Sequence, residues 1–142
     1  MGLFDFLRTK DTVPYEKIYE ELNAFTEASL AMPKMNNPFL FDDKNKHAMI
    51  FGYFVGVMDY ITQAYNLNEE DSLKIRTQYI LKNFADNDME HAQELLKFCD
   101  DIRETDDGSN FALRGKLAMR KWVAGGAMAA YGPMGLIKIL ND

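Results

Sequence analysis

The hydrophobic positions of this chain are densest over residues 48–65, where Asp59 is the one charged side chain among eighteen. Strands usually run about 4–8 residues, so an apolar run of this length favours a helix. Two glycines and three polar side chains interrupt it, which makes it a poor membrane span. A helix that is apolar on every side is buried by its neighbours. We therefore predict a central buried helix over about residues 44–66.

One face of this predicted helix carries very little side chain. Five residues spaced by four, four, three and four share the face: Ala48, Gly52, Gly56, Asp59 and Gln63. A glycine inside a helix costs about 0.5–1 kcal/mol relative to alanine, so two of them suggest that close packing compensates. Two interpretations fit, a close approach of another helix in the same domain or a seam between two copies of the chain. We favour the first.

Helical periodicity, caps and helix-breaking residues divide the rest of the chain. The predicted elements are a helix over about 14–30, a loop over 31–41, the central helix, helices over about 69–84, 89–104 and 110–130, and a short helix opened by Pro133. The acidic stretch 105–110 is predicted to be a loop. No strand pattern and no solenoid repeat appears. The sequence therefore predicts an all-α fold, a compact bundle of five to six helices forming a single domain over residues 11–142.

Residues 1–10 form a separate apolar segment that ends in basic residues. Such a segment can fray, dock on the domain or enter a membrane surface. It lacks the basic start of a signal peptide, and the lone Cys99 has no partner for an internal disulfide. These features predict a cytoplasmic protein, with peripheral membrane attachment as the alternative.

The charge of the chain is unevenly distributed. The net charge of −6 argues against nucleic-acid binding, which needs a basic surface. Residues 1–110 hold 11 Lys/Arg and 21 Asp/Glu, a net of −10, whereas residues 111–142 hold 5 Lys/Arg and 1 acid, a net of +4. One explanation is that the basic region packs beside the acidic helices of its own domain.

The basic residues of the last third precede an uncharged stretch over residues 122–137. In one interpretation, Gly125 and Ala129 meet Gly52 and Gly56 at the tight centre of the bundle. In the other, the stretch is an exposed docking surface for an acidic partner or an anionic membrane. We favour the first, since an exposed apolar patch of this size is unusual. The predicted binding residues are Asp59, Arg114, Arg120, Lys121 and Trp122, and the predicted packing residues are Gly52, Gly56, Gly125 and Ala129.

Asp59 is the candidate for chemistry, because a buried carboxylate without a partner is costly. We expect its partner to be Arg114, Arg120, Lys121 or a tyrosine hydroxyl, and a catalytic or ligand-binding role is the alternative. A di-iron bundle needs two Glu-x-x-His motifs, whereas this chain offers only the single Asp88-x-x-His91. We therefore predict no metal, no cofactor and no catalytic residue.

The leading functional hypothesis is a small cytoplasmic interaction or regulatory protein without catalytic activity, so the sequence favours a protein that is not an enzyme. Its predicted partner is another protein or a second copy in a homodimer, with no nucleic acid and no inferable small molecule. The alternative is a peripheral membrane protein that uses residues 1–10 and the basic, apolar C-terminal region. The third hypothesis is an enzyme or ligand-binding protein centred on Asp59.

Overall fold

The computed structural model of the protein describes residues 13–141, so the segment predicted over residues 1–10 lies outside the described residues. Six α-helices lie in this range: α1 (Tyr15–Asn36), α2 (Lys44–Ala64), α3 (Glu69–Asn83), α4 (Met89–Arg103), α5 (Asp106–Ala124) and α6 (Met134–Asn141). Two 3-10 helices, Leu40–Asp42 and Gly126–Tyr131, precede α2 and α6 respectively. No strand occurs between residues 13 and 141, and the helices pack against one another. The predicted all-α bundle is confirmed.

Four of the helices begin at a side chain that caps the backbone. Asp43 accepts a hydrogen bond from the Asn45 amide at 3.0 Å, and Asn68 accepts one from the Asp71 amide at 2.7 Å. Asp88 and Thr105 cap the next two helices in the same way. Each cap satisfies an amide of the first turn that has no partner within the helix. The caps explain why α2, α3 and α4 begin close to their predicted positions.

Three predicted boundaries are wrong, and one of them is the end of α5, which lies at Ala124 instead of near residue 130. Helix α1 does not stop near residue 30 but continues past Pro33 to Asn36, and Pro33 itself is buried inside the helix. Helix α5 begins at Asp106 rather than near residue 110, because Thr105 accepts a hydrogen bond from the Gly108 amide at 2.9 Å. Acidic residues in a first turn complement the helix dipole, so the acidic stretch starts the helix instead of forming a loop.

The centre of the bundle is α2. All residues from Ile50 to Met58 are buried, and the side chains of Tyr53, Phe54 and Val57 are fully inaccessible. Burying one such side chain contributes roughly 1.5–3 kcal/mol, so this helix is the main source of hydrophobic stabilisation. The predicted central helix is therefore observed between Lys44 and Ala64.

Helices α2 and α5 approach each other very closely. A Cβ atom built on Gly56 would lie 1.7 Å from the carbonyl oxygen of Ala112, and one built on Gly115 would lie 1.8 Å from that of Tyr53. Gly52 faces α5 less tightly, with its added Cβ 3.0 Å from the Phe111 Cβ. The two backbones touch at Gly56 and at Gly115, where the glycines have no side chain to hold them apart. The glycine face of α2 is therefore occupied within the chain.

The predicted contact of Gly125 with this glycine face is wrong. Gly125 follows the last residue of α5, has a φ of +72°, and would have nothing within 4 Å of an added Cβ. Ala129 is half-buried in the second 3-10 helix. The register of α5 against α2 brings Gly115 to the close approach, ten residues before Gly125 in the chain.

Candidate functional site

A groove of about 740 Å³ lies between α5, the second 3-10 helix and α6. Three cationic side chains line it, Arg114 and Lys121 from α5 and Lys138 from α6. Its apolar lining includes Leu117 and Tyr131, which are 45% and 56% exposed. No acidic side chain from residues 13–141 contributes to this lining. We call this feature the basic groove.

The helical repeat places the cations of α5 along one edge of the basic groove. Arg114 and Lys121 are seven residues apart, which is about two turns and roughly 10.5 Å along the axis. Leu117 lies between them, three residues from one and four from the other, so all three share a face. The edge therefore alternates cation, apolar residue, cation.

The opposite wall is held in place by the short helix α6. Leu136 and Ile139 are buried in the core, which leaves the intervening Lys138 exposed at the groove. Behind the floor, the Tyr53 hydroxyl donates a hydrogen bond to the Gly132 carbonyl at 3.3 Å, and burial raises the pKa of Tyr53. The central helix thus anchors the groove floor to the core.

Three cations in or near the basic groove have no acidic partner in the described part of the chain. Within residues 13–141, no Asp or Glu oxygen lies within 4.0 Å of the side-chain nitrogens of Arg120, Lys121 or Lys138. Arg120, another predicted binding residue, is exposed on α5 but does not line the groove. The predicted packing of the basic C-terminal region beside acidic helices therefore does not apply to these three residues.

The uncharged stretch over residues 122–137 divides between core and surface, so neither interpretation describes all of it. Trp122 is half-buried and packs edge-to-face on Phe25 of α1, with ring centroids 5.9 Å apart. Leu136 is fully buried, whereas Val123 and Tyr131 are exposed. Trp122, predicted to bind a partner, therefore contributes to packing between α5 and α1.

Asp59 pairs with a different helix from the one predicted. Nη1 of Arg103, the last residue of α4, lies 2.9 Å and 2.7 Å from the two carboxylate oxygens of Asp59. The Asp59 side chain is 29% exposed and the Arg103 side chain 38%. The predicted partner is a cation of α5 or a tyrosine hydroxyl, whereas the observed partner is an arginine at the end of α4, beside α2. This arrangement is an ion pair at the edge of the core, and it supports a structural role for Asp59.

Asp59→Asn should keep the fold and lower the free energy of unfolding by about 0.5–1 kcal/mol, the range for a partly exposed ion pair. The loss should shrink as salt rises, because salt screens exposed charges. Urea unfolding at low and high salt measures both effects, with Glu27→Gln on α1 as a control carboxylate that is exposed. A loss of several kcal/mol would contradict this assignment.

The other candidates for chemistry have structural explanations. Burial raises the pKa of the Cys99 thiol to about 12, so it is protonated at neutral pH and a poor nucleophile. Asp88, from the single metal-like motif, caps α4. In the described part of the chain, no three His, Cys, Asp or Glu residues come together in a way that could hold a metal ion.

A second groove, of about 690 Å³, lies between α1 and α3. Its charged lining consists of Lys74 and Lys82 together with Glu70. The mixed signs distinguish it from the basic groove, and Lys74 already lies over the Tyr15 ring at 4.6 Å from the centroid. The basic groove is therefore the better candidate for a charged ligand.

Among the helices of residues 13–141, none has the length and apolarity to cross a membrane. Comparisons of this chain with protein-family models, with curated proteins and with solved structures found no match. The geometry of the basic groove is therefore the evidence from which function is inferred. Sequence reasoning identified Arg114 and Lys121 there but missed Leu117, Tyr131 and Lys138.

Proposed function

We propose that this protein is a non-catalytic binding module whose basic groove accepts an acidic, partly apolar segment of a partner protein. The observation that carries the proposal is the lining of the groove, three cations with apolar side chains between them and no acid from residues 13–141. Like-signed charge around a low-dielectric concave surface attracts the opposite charge. Apolar residues in the lining favour a ligand that buries hydrophobic side chains as well.

A short protein segment fits these features better than an extended anionic surface. The groove is concave, so a flat bilayer cannot fill it, while side chains from a peptide can. The net charge of −6 also works against approach to a nucleic acid or an anionic membrane as a whole. A single acidic segment needs only the local field of the groove.

Two observations argue against a symmetric homodimer. The glycine face of α2 packs against α5 within the chain, so it is not available as a seam between copies. A symmetric interface centred on the basic groove would bring the same cations of both copies together. Like charges placed opposite one another oppose association. We therefore propose a different protein as the partner, in place of a symmetric dimer through this groove.

Peripheral membrane attachment remains the second candidate, because one observation favours it. Leu113 and Leu117 are exposed on the same face of α5, next to the cations Arg120 and Lys121. A basic and apolar helix face is typical of interfacial membrane binding. Two leucines bury little area, which is why we place this candidate second.

Fluorescence anisotropy with a labelled peptide of glutamate, leucine and alanine tests the proposal. We expect saturable binding that weakens about tenfold when glutamine replaces glutamate, because three exposed ion pairs at about 0.5 kcal/mol each sum to roughly one factor of ten. Sedimentation with phosphatidylserine vesicles runs in parallel. Binding to vesicles without binding to the peptide would overturn the proposal in favour of membrane attachment. No binding to either probe would also overturn it.

A further inference from the structure

The cation–apolar–cation edge of α5 restricts the shape of a segment that could match it. Arg114 and Lys121 are separated by about 10.5 Å along the helix axis, and Leu117 fills the space between them. A ligand that pairs both cations and covers Leu117 must present an acid, an apolar residue and a second acid on one face. The acids must be roughly as far apart as the cations.

An α-helix meets this requirement. Helical residues at positions i, i+3 or i+4, and i+7 share a face, and positions i and i+7 are about 10.5 Å apart. A β-strand covers the same distance in about three residues. Successive side chains of a strand point to opposite faces, so two acids that are three positions apart lie on opposite faces. A polyproline helix aligns positions i and i+3 about 9.3 Å apart, but no residue between them shares that edge to cover Leu117.

The groove also has room for one face of a helix. Its volume of about 740 Å³ falls within the roughly 300–1,000 Å³ typical of ligand sites. Gly132 and Gly135 line it without side chains of their own, and Lys138 on the far wall supplies a third cation. A helix lying along α5 would place its apolar face over this floor and its acids at the two edges.

Resting on the function proposed above, we infer that the partner segment is an amphipathic α-helix. Its pattern is acid-x-x-apolar-x-x-x-acid, or the same pattern reversed. The two acids pair with Arg114 and Lys121, and the apolar residue packs on Leu117. The partner is thereby defined by register as well as by charge.

Two stapled helical peptides of identical composition test the inference. The first peptide carries two acids seven positions apart with a leucine between them. In the second peptide, one of these acids is moved by two positions, which rotates it by about 200° around the helix at about 3.6 residues per turn. Circular dichroism first establishes equal helicity. Anisotropy with the full-length protein should show about two- to threefold tighter binding of the peptide in register, because moving one acid removes one exposed ion pair.

The outcomes separate the two proposals. Equal affinity of the two peptides, with a glutamine version binding more weakly, would overturn the helical register while leaving the acidic-segment proposal standing. Failure of both peptides to bind better than the glutamine version would overturn both proposals. Charge exchange gives a second readout. A peptide with lysine in place of the acid opposite position 121 should bind Lys121→Glu better than it binds the wild-type protein, and the reverse order would contradict the register.

Discussion

Replacing Gly115 by alanine should lower the free energy of unfolding by about 3 kcal/mol or more, at the upper end of overpacking effects. The added Cβ would lie 1.8 Å from the carbonyl oxygen of Tyr53, and Tyr53 is a fully buried residue of the central helix. Backbone atoms cannot rotate away as a flexible side chain can, so α5 must move from α2. Because α5 forms one wall of the basic groove, the groove should be distorted as well.

Gly52→Ala is the matched control, because Gly52 lies on the same interface and its added Cβ would meet no atom closer than the Phe111 Cβ, at 3.0 Å. Alanine in a helix is favoured over glycine by about 0.5–1 kcal/mol, which should partly offset this milder crowding. Urea unfolding monitored by circular dichroism measures both variants. If Gly115→Ala were as stable as the wild type or more stable, helix propensity would dominate and the close approach of α2 and α5 would be refuted.

The double substitution Lys121→Glu with Lys138→Glu should weaken binding of the acidic peptide by about a hundredfold. Each reversal removes an attraction and adds a repulsion, and two reversals at about 1–1.5 kcal/mol each give roughly that factor. Both residues line the basic groove, and both lack an acidic partner within residues 13–141. The free energy of unfolding should therefore change little. Anisotropy titration and urea unfolding measure the two quantities separately.

Lys44→Glu with Lys97→Glu provides the control with the same change in net charge. Both lysines are exposed, and neither lines the basic groove. We expect this variant to bind the peptide nearly as well as the wild-type protein, since only long-range and screened repulsion changes. Equal losses in the two double variants would show that overall charge, and not the basic groove, determines binding.

Local signals explain why much of the fold was predictable. The run of apolar residues in α2 marks a helix buried on all sides, and Asp43 and Asn68 are caps that act within a few residues of themselves. Gly108 is predicted to lie in a loop, but a glycine can mark either a loop or a close approach of two backbones. Here it belongs to the first turn of α5, where an added Cβ would lie 2.0 Å from the Ile102 carbonyl oxygen.

The candidate site was predictable only in part, because its geometry depends on how distant helices pack. Charge segregation along the sequence led to Arg114 and Lys121, since both lie in the basic region. The position of Lys138 on the opposite wall depends on the burial of Leu136 and Ile139. Helix register and orientation likewise determine that Gly115, and not Gly125, contacts α2, and that Arg103 pairs with Asp59. Periodicity within one helix carries no information on either.

The most direct test of the account is to map where the acidic peptide binds. Two-dimensional ¹H–¹⁵N NMR of the full-length protein, recorded during titration with the in-register peptide, reports on each backbone amide. We predict that shift changes concentrate at the basic groove, at Leu117, Lys121, Tyr131, Gly132 and Lys138. Changes concentrated instead on the α1–α3 groove, around Tyr19 and Leu73, would contradict the assignment of the basic groove as the binding site.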